Sequence, residues 1–182
     1  MQAFIIFLLG TACFAWISRH ALRKPLSHGF YRFWAWECML ALALLNFPMW
    51  THHPFAPQQI VSWSLLLISL LLALHAVRLL RTVGHPSQTR RDPELLSFER
   101  TSTLVTTGAY RYIRHPMYAS LLFLAWGIFL KEVSFPSIVL VGGASIALFF
   151  TALRDEAECQ QQFGADYAEY LKTRKRFVPF LF

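Results

Sequence analysis

The chain has 182 residues, of which 55% are hydrophobic and only 15% are charged, and its formal net charge is +7. Soluble domains contain roughly 25% charged residues, so this composition excludes an ordinary soluble domain, including a soluble nucleic-acid-binding protein. The length fits a single domain, residues 1–182. Strong apolarity with excess positive charge indicates a membrane protein with a basic cytoplasmic face and no nucleic-acid partner.

The cysteine and histidine positions indicate neither a disulfide framework nor a metal site. Cys13, Cys38 and Cys159 form no CxxC pair, and two of them lie in apolar runs. We interpret all three as small buried apolar side chains. The adjacent His52 and His53 are poorly placed to share one ion, so we expect no metal.

Five apolar segments predict an all-α bundle of about five transmembrane helices. A spanning helix needs roughly 20 residues, with about 17 as the lower limit. The second and third segments satisfy this length, and the other three are close to the limit. The fourth is the segment least expected to span the membrane fully, and with the fifth it could form a shallow helical hairpin. The segments are 3–17, 30–50, 60–80, 116–130 and 136–153.

The basic residues predict the orientation of this bundle. Five spans place sixteen of the seventeen Lys and Arg residues on one side of the membrane and leave only Lys131 on the other. The positive-inside rule therefore puts the N-terminus outside and the C-terminus in the cytoplasm. The first segment has no preceding positive charge, so we do not expect it to be a signal peptide. Residues 1–80 then hold three spans, and residues 81–182 hold a loop, two spans and a tail.

Two polar pieces fall together on the cytoplasmic side, the loop 81–115 and the tail 154–182. The tail begins as a polar helix that runs to Tyr170, and the sequence around Gly164 predicts a break followed by a short second helix. The tail ends in an apolar stretch, 177–182, which we expect to dock at the interface or into the bundle.

The loop ends in cations and aromatics at the start of the fourth helix. Tyr110, Arg114, His115 and Tyr118 surround Pro116, which suits the first turn of a helix because its missing N–H has no role there. A helix N-terminus carries unpaired N–H groups and partial positive charge. Together with Arg114 and His115, this helix start should attract a carboxylate or phosphate. A simple interfacial anchor of tyrosines and arginines is the alternative.

The fifth helix ends in the opposite kind of cluster. Asp155, Glu156 and Glu158 lie near the membrane on the basic side. Acidic groups at a helix C-terminus oppose the macrodipole. We therefore expect a cation to compensate them, supplied by Arg154, by Arg114 or by a cationic ligand. A solvated helix end with salt bridges is the alternative.

The two clusters together resemble the isoprenylcysteine carboxyl methyltransferase family and the related phospholipid methyltransferases. The resemblance covers about residues 101–182, and the first three spans add only general compatibility. The matching positions are Leu104 to Tyr110, Arg114 to Tyr118, Asp155-Glu156, Phe163-Gly164, Tyr167, Tyr170 and Pro179.

This resemblance implies the cofactor S-adenosyl-L-methionine. Its carboxylate suits the helix N-terminus with His115, its ammonium or ribose hydroxyls suit carboxylates, and its sulfonium suits tyrosine faces. By matched position, the adenosine would contact Ser102, Thr103, Leu104 and Val105. The other expected cofactor contacts are Tyr110, His115, Pro116, Met117, Tyr118, Asp155 and Glu156.

The expected catalytic residues are Arg114 and Glu156. Methyl transfer to a carboxylate needs in-line alignment and exclusion of water rather than a base, and Arg114 would orient such an anionic acceptor. A nitrogen or thiol acceptor would instead need a proton acceptor, for which Glu156 or His115 are candidates.

The sequence departs from the family pattern at several positions. Asp155 stands where a glutamate is usual, Ser120 where a glycine is usual, and Phe135 where an asparagine often precedes proline. The family's arginine for an acceptor carboxylate has no counterpart near Thr151, and Arg154 is the nearest arginine. Carboxylate methylation is thus a weaker expectation than use of the cofactor.

The acceptor is expected to be lipophilic or amphipathic and to reach the site laterally from the bilayer. A prenylated cysteine carboxylate, a phospholipid amine and a small apolar thiol or acid all remain open. The membrane would be the inner membrane of a bacterium or the endoplasmic reticulum of a eukaryote. Two other functions also remain open: an NADPH-dependent membrane reductase with a similar bundle, and a non-enzymatic membrane adaptor. Within the second span, Glu37 is predicted to pair with Arg78 or to serve an acceptor site.

Overall fold

The computed structural model describes residues 1–85, 95–96 and 98–178. Within these ranges the regular secondary structure is all helical, as predicted, and an isolated parallel bridge pairs Ile113 with Lys175. The α-helices are α1 Gln2–Ile17, α2 Arg19–Leu22, α3 His28–Leu45, α4 Pro57–Thr82, α5 Pro116–Phe129, α6 Phe135–Phe163 and α7 Ala165–Thr173. In the same described ranges, 3-10 helices cover Phe47–Met49 and Gly108–Arg111.

Each of the five apolar segments contains a helix, so the prediction of helix positions is confirmed. Helices α4 and α6, with 26 and 29 residues, are long and apolar enough to cross a membrane. Helices α1 and α5 are shorter apolar helices of 16 and 14 residues. The second segment is divided, because α3 ends at Leu45 and a 3-10 turn with proline near its start follows it.

The helices pack as two main pairs, α3 against α6 and α4 against α5, which join through α5 and α6. Small residues lie at the centre of the core, and Ala35, Ala125 and Ala144 have no exposed surface. Small side chains let helix backbones approach closely, which is a common way to stabilise helices in membranes. At Gly127 the helices are so close that even a Cβ would not fit, because it would lie 2.9 Å from Leu66.

The outer surface of the bundle is apolar. No residue of α1 is buried, and Leu67, Leu70, Leu71 and Leu74 of α4 are 57–60% exposed. Contiguous apolar surface on this scale is unstable in water and is accommodated by a lipid bilayer. The exposed face of α1 also corrects the prediction that all the cysteines are buried, because Cys13 lies on it and is exposed.

A second prediction, that Glu37 pairs with Arg78, is wrong. Glu37 lies on α3 where it faces α1, and its Oε2 accepts a hydrogen bond of 2.7 Å from the Thr11 hydroxyl. Arg78 belongs to α4, and α4 packs principally against α5 instead.

Asn46 joins three helix ends at the side of the bundle away from the 3-10 helix Gly108–Arg111. It has no exposed surface, and its Nδ2 donates to the carbonyls of Ile128 at 2.9 Å and Glu132 at 3.2 Å. Its Oδ1 accepts from the Ser137 hydroxyl at 3.0 Å. This buried polar residue therefore satisfies backbone groups between α5 and α6 and fixes the end of α3 against them.

Candidate active site

The chain segment before α5 is held in place by the C-terminal tail. The Arg114 N–H donates to the Lys175 carbonyl at 2.7 Å, and the His115 N–H donates to the Arg176 carbonyl at 3.1 Å. Phe177 is buried and lies 6.2 Å, ring to ring, from His115. The predicted docking of the apolar terminus is thus confirmed for Phe177, whereas Pro179 and the residues after it lie outside the described ranges.

The predicted break between the last two helices is also confirmed. Helix α6 ends at Phe163, Gly164 adopts a φ of +56°, and α7 begins at Ala165. Helix α7 then places Tyr170 so that its hydroxyl donates to the Tyr110 carbonyl at 2.6 Å. The turn after α6 therefore returns the tail across the loop that precedes α5.

His115 lies where α5 begins and α6 ends. It is the N-cap residue of α5 but makes no side-chain cap, so its ring points elsewhere. The ring Nδ1 lies 3.3 Å from Asp155 Oδ2, and Nε2 lies 3.1 Å from Glu156 Oε1. Burial alone lowers the pKa of His115, but the hydrogen bonds to Asp155 and Glu156 outweigh it and the pKa is raised. The protonated form of His115 is therefore favoured more than in a free histidine.

Glu156 is the centre of this ion cluster. Arg176 Nε and Nη2 donate to its two oxygens, each at 2.9 Å, and Arg114 Nη1 lies 3.3 Å from Oε1. The prediction that a cation compensates the acidic helix end is confirmed for Arg114. The candidate Arg154 is exposed instead, and Arg176 and His115 supply the rest of the compensation.

Gly108 shapes the loop that carries Tyr110. Its φ is +59°, and a Cβ there would lie 2.6 Å from Leu79 and 2.7 Å from His75. The close approach lets the N–H of Ala109 donate to His75 Nε2 at 3.3 Å. Only glycine combines this backbone conformation with this contact, so the loop is fixed against α4.

A cavity that is partly open to solvent lies between these elements, and the empty space there, counted together with open solvent, is about 650 Å³. Its wall combines apolar side chains with carboxylates, cations and tyrosines. The lining residues are Leu80, Glu99, Thr101, Leu104, Val105, Tyr110, Arg114, His115, Met117, Tyr118, Asp155, Cys159, Phe163, Tyr167 and Tyr170.

Most of the predicted contact residues share this cavity. Two stretches far apart in the chain, the start of α5 and the end of α6, meet there, as the sequence predicts. The predicted residues in the wall are Leu104, Val105, Tyr110, Arg114, His115, Met117, Tyr118 and Asp155.

Four predicted contact residues have other surroundings. Ser102 is exposed and its hydroxyl donates to the His85 carbonyl at 2.8 Å, and Thr103 is exposed as well. Pro116 is buried in the first turn of α5. Glu156 lies behind His115, where it contacts arginines.

Sequence reasoning missed several wall residues. Leu80, Thr101 and Cys159 received no cofactor role, and Phe163, Tyr167 and Tyr170 were matched to the family without one. The spacing of Asp155, Cys159 and Phe163, each four residues apart, places them on one face of a helix and was the available signal. For Glu99, which follows a Pro-rich and Ser-rich loop, the sequence contained no comparable signal.

Burial controls the protonation of the wall tyrosines that lie outside the long helices. Burial raises the pKa of Tyr110 and of Tyr167 well above the ordinary value for tyrosine, and nearby acidic groups raise both further. Both hydroxyls are therefore neutral throughout the physiological pH range. They present hydrogen-bond donors and aromatic surface to the cavity without adding negative charge.

A second ion cluster lies directly behind the wall. Arg32 Nη1 donates to both oxygens of Glu99, at 2.6 and 2.7 Å. His28 Nδ1 lies 2.6 Å from Glu158 Oε2, and its Nε2 lies 4.0 Å from Glu99. The side chains of His28 and Arg32 are 1% and 3% exposed. The cluster ties α3 and α6 to the loop before α5.

The comparisons with known proteins agree with this geometry. The profile of the phospholipid methyltransferase family matches residues 57–166, which include α4, α5 and α6. The protein-S-isoprenylcysteine O-methyltransferase A of Arabidopsis thaliana is 33% identical over 89 residues, which are 47% of this chain and 44% of that protein. The match thus spans less than half of the relative's length. No solved structure is significantly similar to the chain. Because the family profile matches more than half of its residues, the chain belongs to the phospholipid methyltransferase family.

Proposed function

We propose that this protein is an S-adenosyl-L-methionine-dependent membrane methyltransferase, similar to the isoprenylcysteine carboxyl O-methyltransferases, that acts on a lipophilic or amphipathic acceptor. One observation carries the proposal. The N-terminus of α5 with His115 and the end of α6 with Asp155 line one cavity. That cavity offers complementary charges to each ionic group of a single methyl donor.

The residues of the cavity fit this donor. The first turn of α5 has no side-chain cap, so its N–H groups suit a carboxylate. Asp155 suits the adjacent ammonium. The buried Nε of Arg114 has no hydrogen-bond partner among the described residues, which leaves a donor for a further anionic or carbonyl group. Leu104, Val105 and the other apolar wall residues suit the adenine ring.

The chemistry supplied by such a donor is transfer of an electrophilic methyl group from a sulfonium. Tyr110 and Tyr118 line the cavity and are 9% and 5% exposed. Aromatic faces attract a sulfonium cation, and buried aromatic walls exclude water that would compete with the acceptor. These residues would hold and shield the reacting centre without forming a bond to it.

The ion cluster favours an acceptor that has no proton to lose. Both ring nitrogens of His115 face carboxylates, so the ring is held as a proton donor. Two arginines contact Glu156, which makes it a poor proton acceptor. We infer that Glu156 positions His115 and Arg176, and that the acceptor is a carboxylate. Thr151 stands near the position of the family's acceptor-binding arginine, but it is fully buried and its hydroxyl donates to the Ala147 carbonyl at 2.8 Å. Arg114 would therefore orient the acceptor carboxylate instead.

The apolar surface supports a bilayer arrangement for the whole chain as one domain. We propose that α4 and α6 cross the membrane and that α1, α3 and α5 complete five spans. The N-terminus would then lie outside and the cavity, with the C-terminus, on the cytoplasmic side. The acceptor would reach the cavity laterally from the inner leaflet. The host membrane would be a bacterial inner membrane or the endoplasmic reticulum.

The test uses the full chain purified in detergent or nanodiscs. Calorimetry should show binding of S-adenosylhomocysteine, and thermal unfolding should be delayed by this compound and not by NADPH. Membrane extract with methyl-labelled donor should yield a labelled lipophilic product. His115→Ala should abolish both binding and transfer, whereas Arg111→Ala, at an exposed neighbouring cation, should preserve them. Stabilisation by NADPH alone, or no binding of either compound, would reject the proposal.

A further inference from the structure

Glu99 is a carboxylate in the cavity wall that the family pattern does not include. It lies in the segment before the predicted adenosine residues, and its side chain is 11% exposed. Among the described residues, the cavity wall therefore has two carboxylates on different elements, Asp155 on α6 and Glu99 on the loop. A methyl donor of this kind has one ammonium and one ribose diol, so the two acidic groups have two possible partners.

The Glu99 carboxylate is held from behind. Arg32 Nη1 donates to both of its oxygens, at 2.6 and 2.7 Å, and the Leu96 N–H donates to Oε2 at 2.9 Å. A carboxylate has about four lone-pair positions, and these contacts leave at least one for the cavity. Placing Arg32 at 3% exposure costs desolvation energy. As a result, the Glu99 carboxylate is a hydrogen-bond acceptor whose position in the cavity wall is fixed.

Asp155 marks the amino-acid end of the cavity. The ammonium and carboxylate of the donor are attached to the same carbon atom, so they must bind to neighbouring groups. Asp155 is in contact with His115, which precedes the uncapped start of α5. This side of the cavity therefore takes both ionic groups of the amino acid.

Glu99 marks the nucleoside end. It is two residues from Thr101 and close in sequence to Leu104 and Val105, and all of these line the cavity. Arg32 is permanently charged and already compensates the charge of Glu99. The carboxylate is therefore better suited to neutral hydroxyl donors than to a second cation.

We propose that Glu99 binds the ribose hydroxyls of the methyl donor and that Arg32 positions Glu99 for this role. This inference rests on the proposed function, because it assigns a part of the same donor to a wall residue. Asp155 then binds the ammonium, and the two carboxylates select opposite ends of one molecule.

The test measures calorimetric affinities of two compounds for the full chain. S-adenosylhomocysteine contains both ends, and 5′-methylthioadenosine has the ribose but lacks the amino-acid group. Glu99→Gln should weaken both compounds by a similar factor, about tenfold or more. Asp155→Asn should weaken S-adenosylhomocysteine by a similar amount and leave 5′-methylthioadenosine nearly unchanged. Glu169→Gln, at an exposed position of α7, is the matched control and should change neither.

A hydroxyl-free analogue, 2′,3′-dideoxy-5′-methylthioadenosine, completes a double-mutant cycle. The wild type should bind it about tenfold or more weakly than its parent, and Glu99→Gln should bind the two alike. Equal binding of parent and analogue by the wild type overturns the inference even where the variant does not fold. Loss of S-adenosylhomocysteine affinity in Glu99→Gln with unchanged 5′-methylthioadenosine affinity also overturns it, because Glu99 would then bind the ammonium. If the wild type binds none of the compounds, the proposed function fails as well.

Discussion

Arg176 and Glu156 form a two-pronged ion pair in which Nε and Nη2 each lie 2.9 Å from a carboxylate oxygen. The side chains are only 16% and 12% exposed. The pair connects the C-terminal tail to the end of α6, and Glu156 in turn contacts His115. Because His115 lines the cavity, the position of the tail and the geometry of the site are coupled through two contacts.

Replacing Arg176 should therefore weaken both the fold and the site. Arg176→Ala leaves Glu156 without its closest cation, which we expect to cost about 2 kcal/mol of stability, as for a charged hydrogen-bonded pair. Affinity for S-adenosylhomocysteine should fall about tenfold, with partial recovery in Arg176→Lys. Calorimetry and thermal unfolding measure the two effects. Lys175→Ala, at an exposed neighbour, is the control, and an equal loss there would contradict a specific role for the pair.

The pH dependence of stability should report the charge on His115. Its folded-state pKa is raised because bonds to Asp155 and Glu156 outweigh burial. A raised pKa contributes stability that is fully present below the unfolded value of about 6.5 and is lost as the pH rises through the folded value. The difference in unfolding midpoint between wild type and His115→Gln should thus be largest near pH 6 and shrink at alkaline pH. A difference that grows with pH would contradict the assignment.

Gly108 and Gly142 provide a matched pair of substitutions. In Gly108→Ala, the alanine would have to adopt a φ of +59°, and its Cβ would lie 2.6 Å from Leu79 and 2.7 Å from His75. We therefore expect the free energy of unfolding to fall by about 2 kcal/mol or more. Gly142 lies within α6 with nothing within 4 Å of its Cβ position. Gly142→Ala should be neutral or stabilising by about 0.5–1 kcal/mol. Thermal unfolding of both variants tests the contrast, and similar midpoints would contradict the close contact of Gly108 with α4.

The amino-acid sequence predicted those parts of the structure that depend on local pattern. Apolar runs specified the helix positions because a long apolar segment has few other stable states in lipid. The order of charges at Arg114, His115 and Asp155 predicted that distant stretches meet, because each helix end needs an opposite charge to compensate it. These relations follow from one-dimensional features such as length, charge sign and helix polarity.

Contacts that depend on the relative rotation of helices were beyond this reasoning. Glu37 lies on the face of α3 that is directed at Thr11. From its depth along the helix, a pairing with Arg78 was equally plausible. Glu99 reaches the cavity because the loop returns over α3 and meets Arg32. Neither relationship has a periodicity or motif that a single sequence displays, because each depends on tertiary packing.

The surroundings of Lys131 also depend on tertiary packing. It is the one basic residue that the sequence placed outside the cytoplasmic set, and it is buried. Lys131 is 3% exposed, its Nζ lies 3.5 Å from the Trp63 ring centre, and it donates to Gln59 Oε1 at 3.2 Å. A desolvated cation on an indole contributes about 2 kcal/mol, so Lys131→Met should lose most of this stability and Lys131→Arg should lose less. In a double-mutant cycle, Trp63→Leu should lower the stability only slightly when Lys131 is already replaced by Met, as measured by thermal unfolding. Additive losses would show that the lysine and the indole stabilise the helix connection independently.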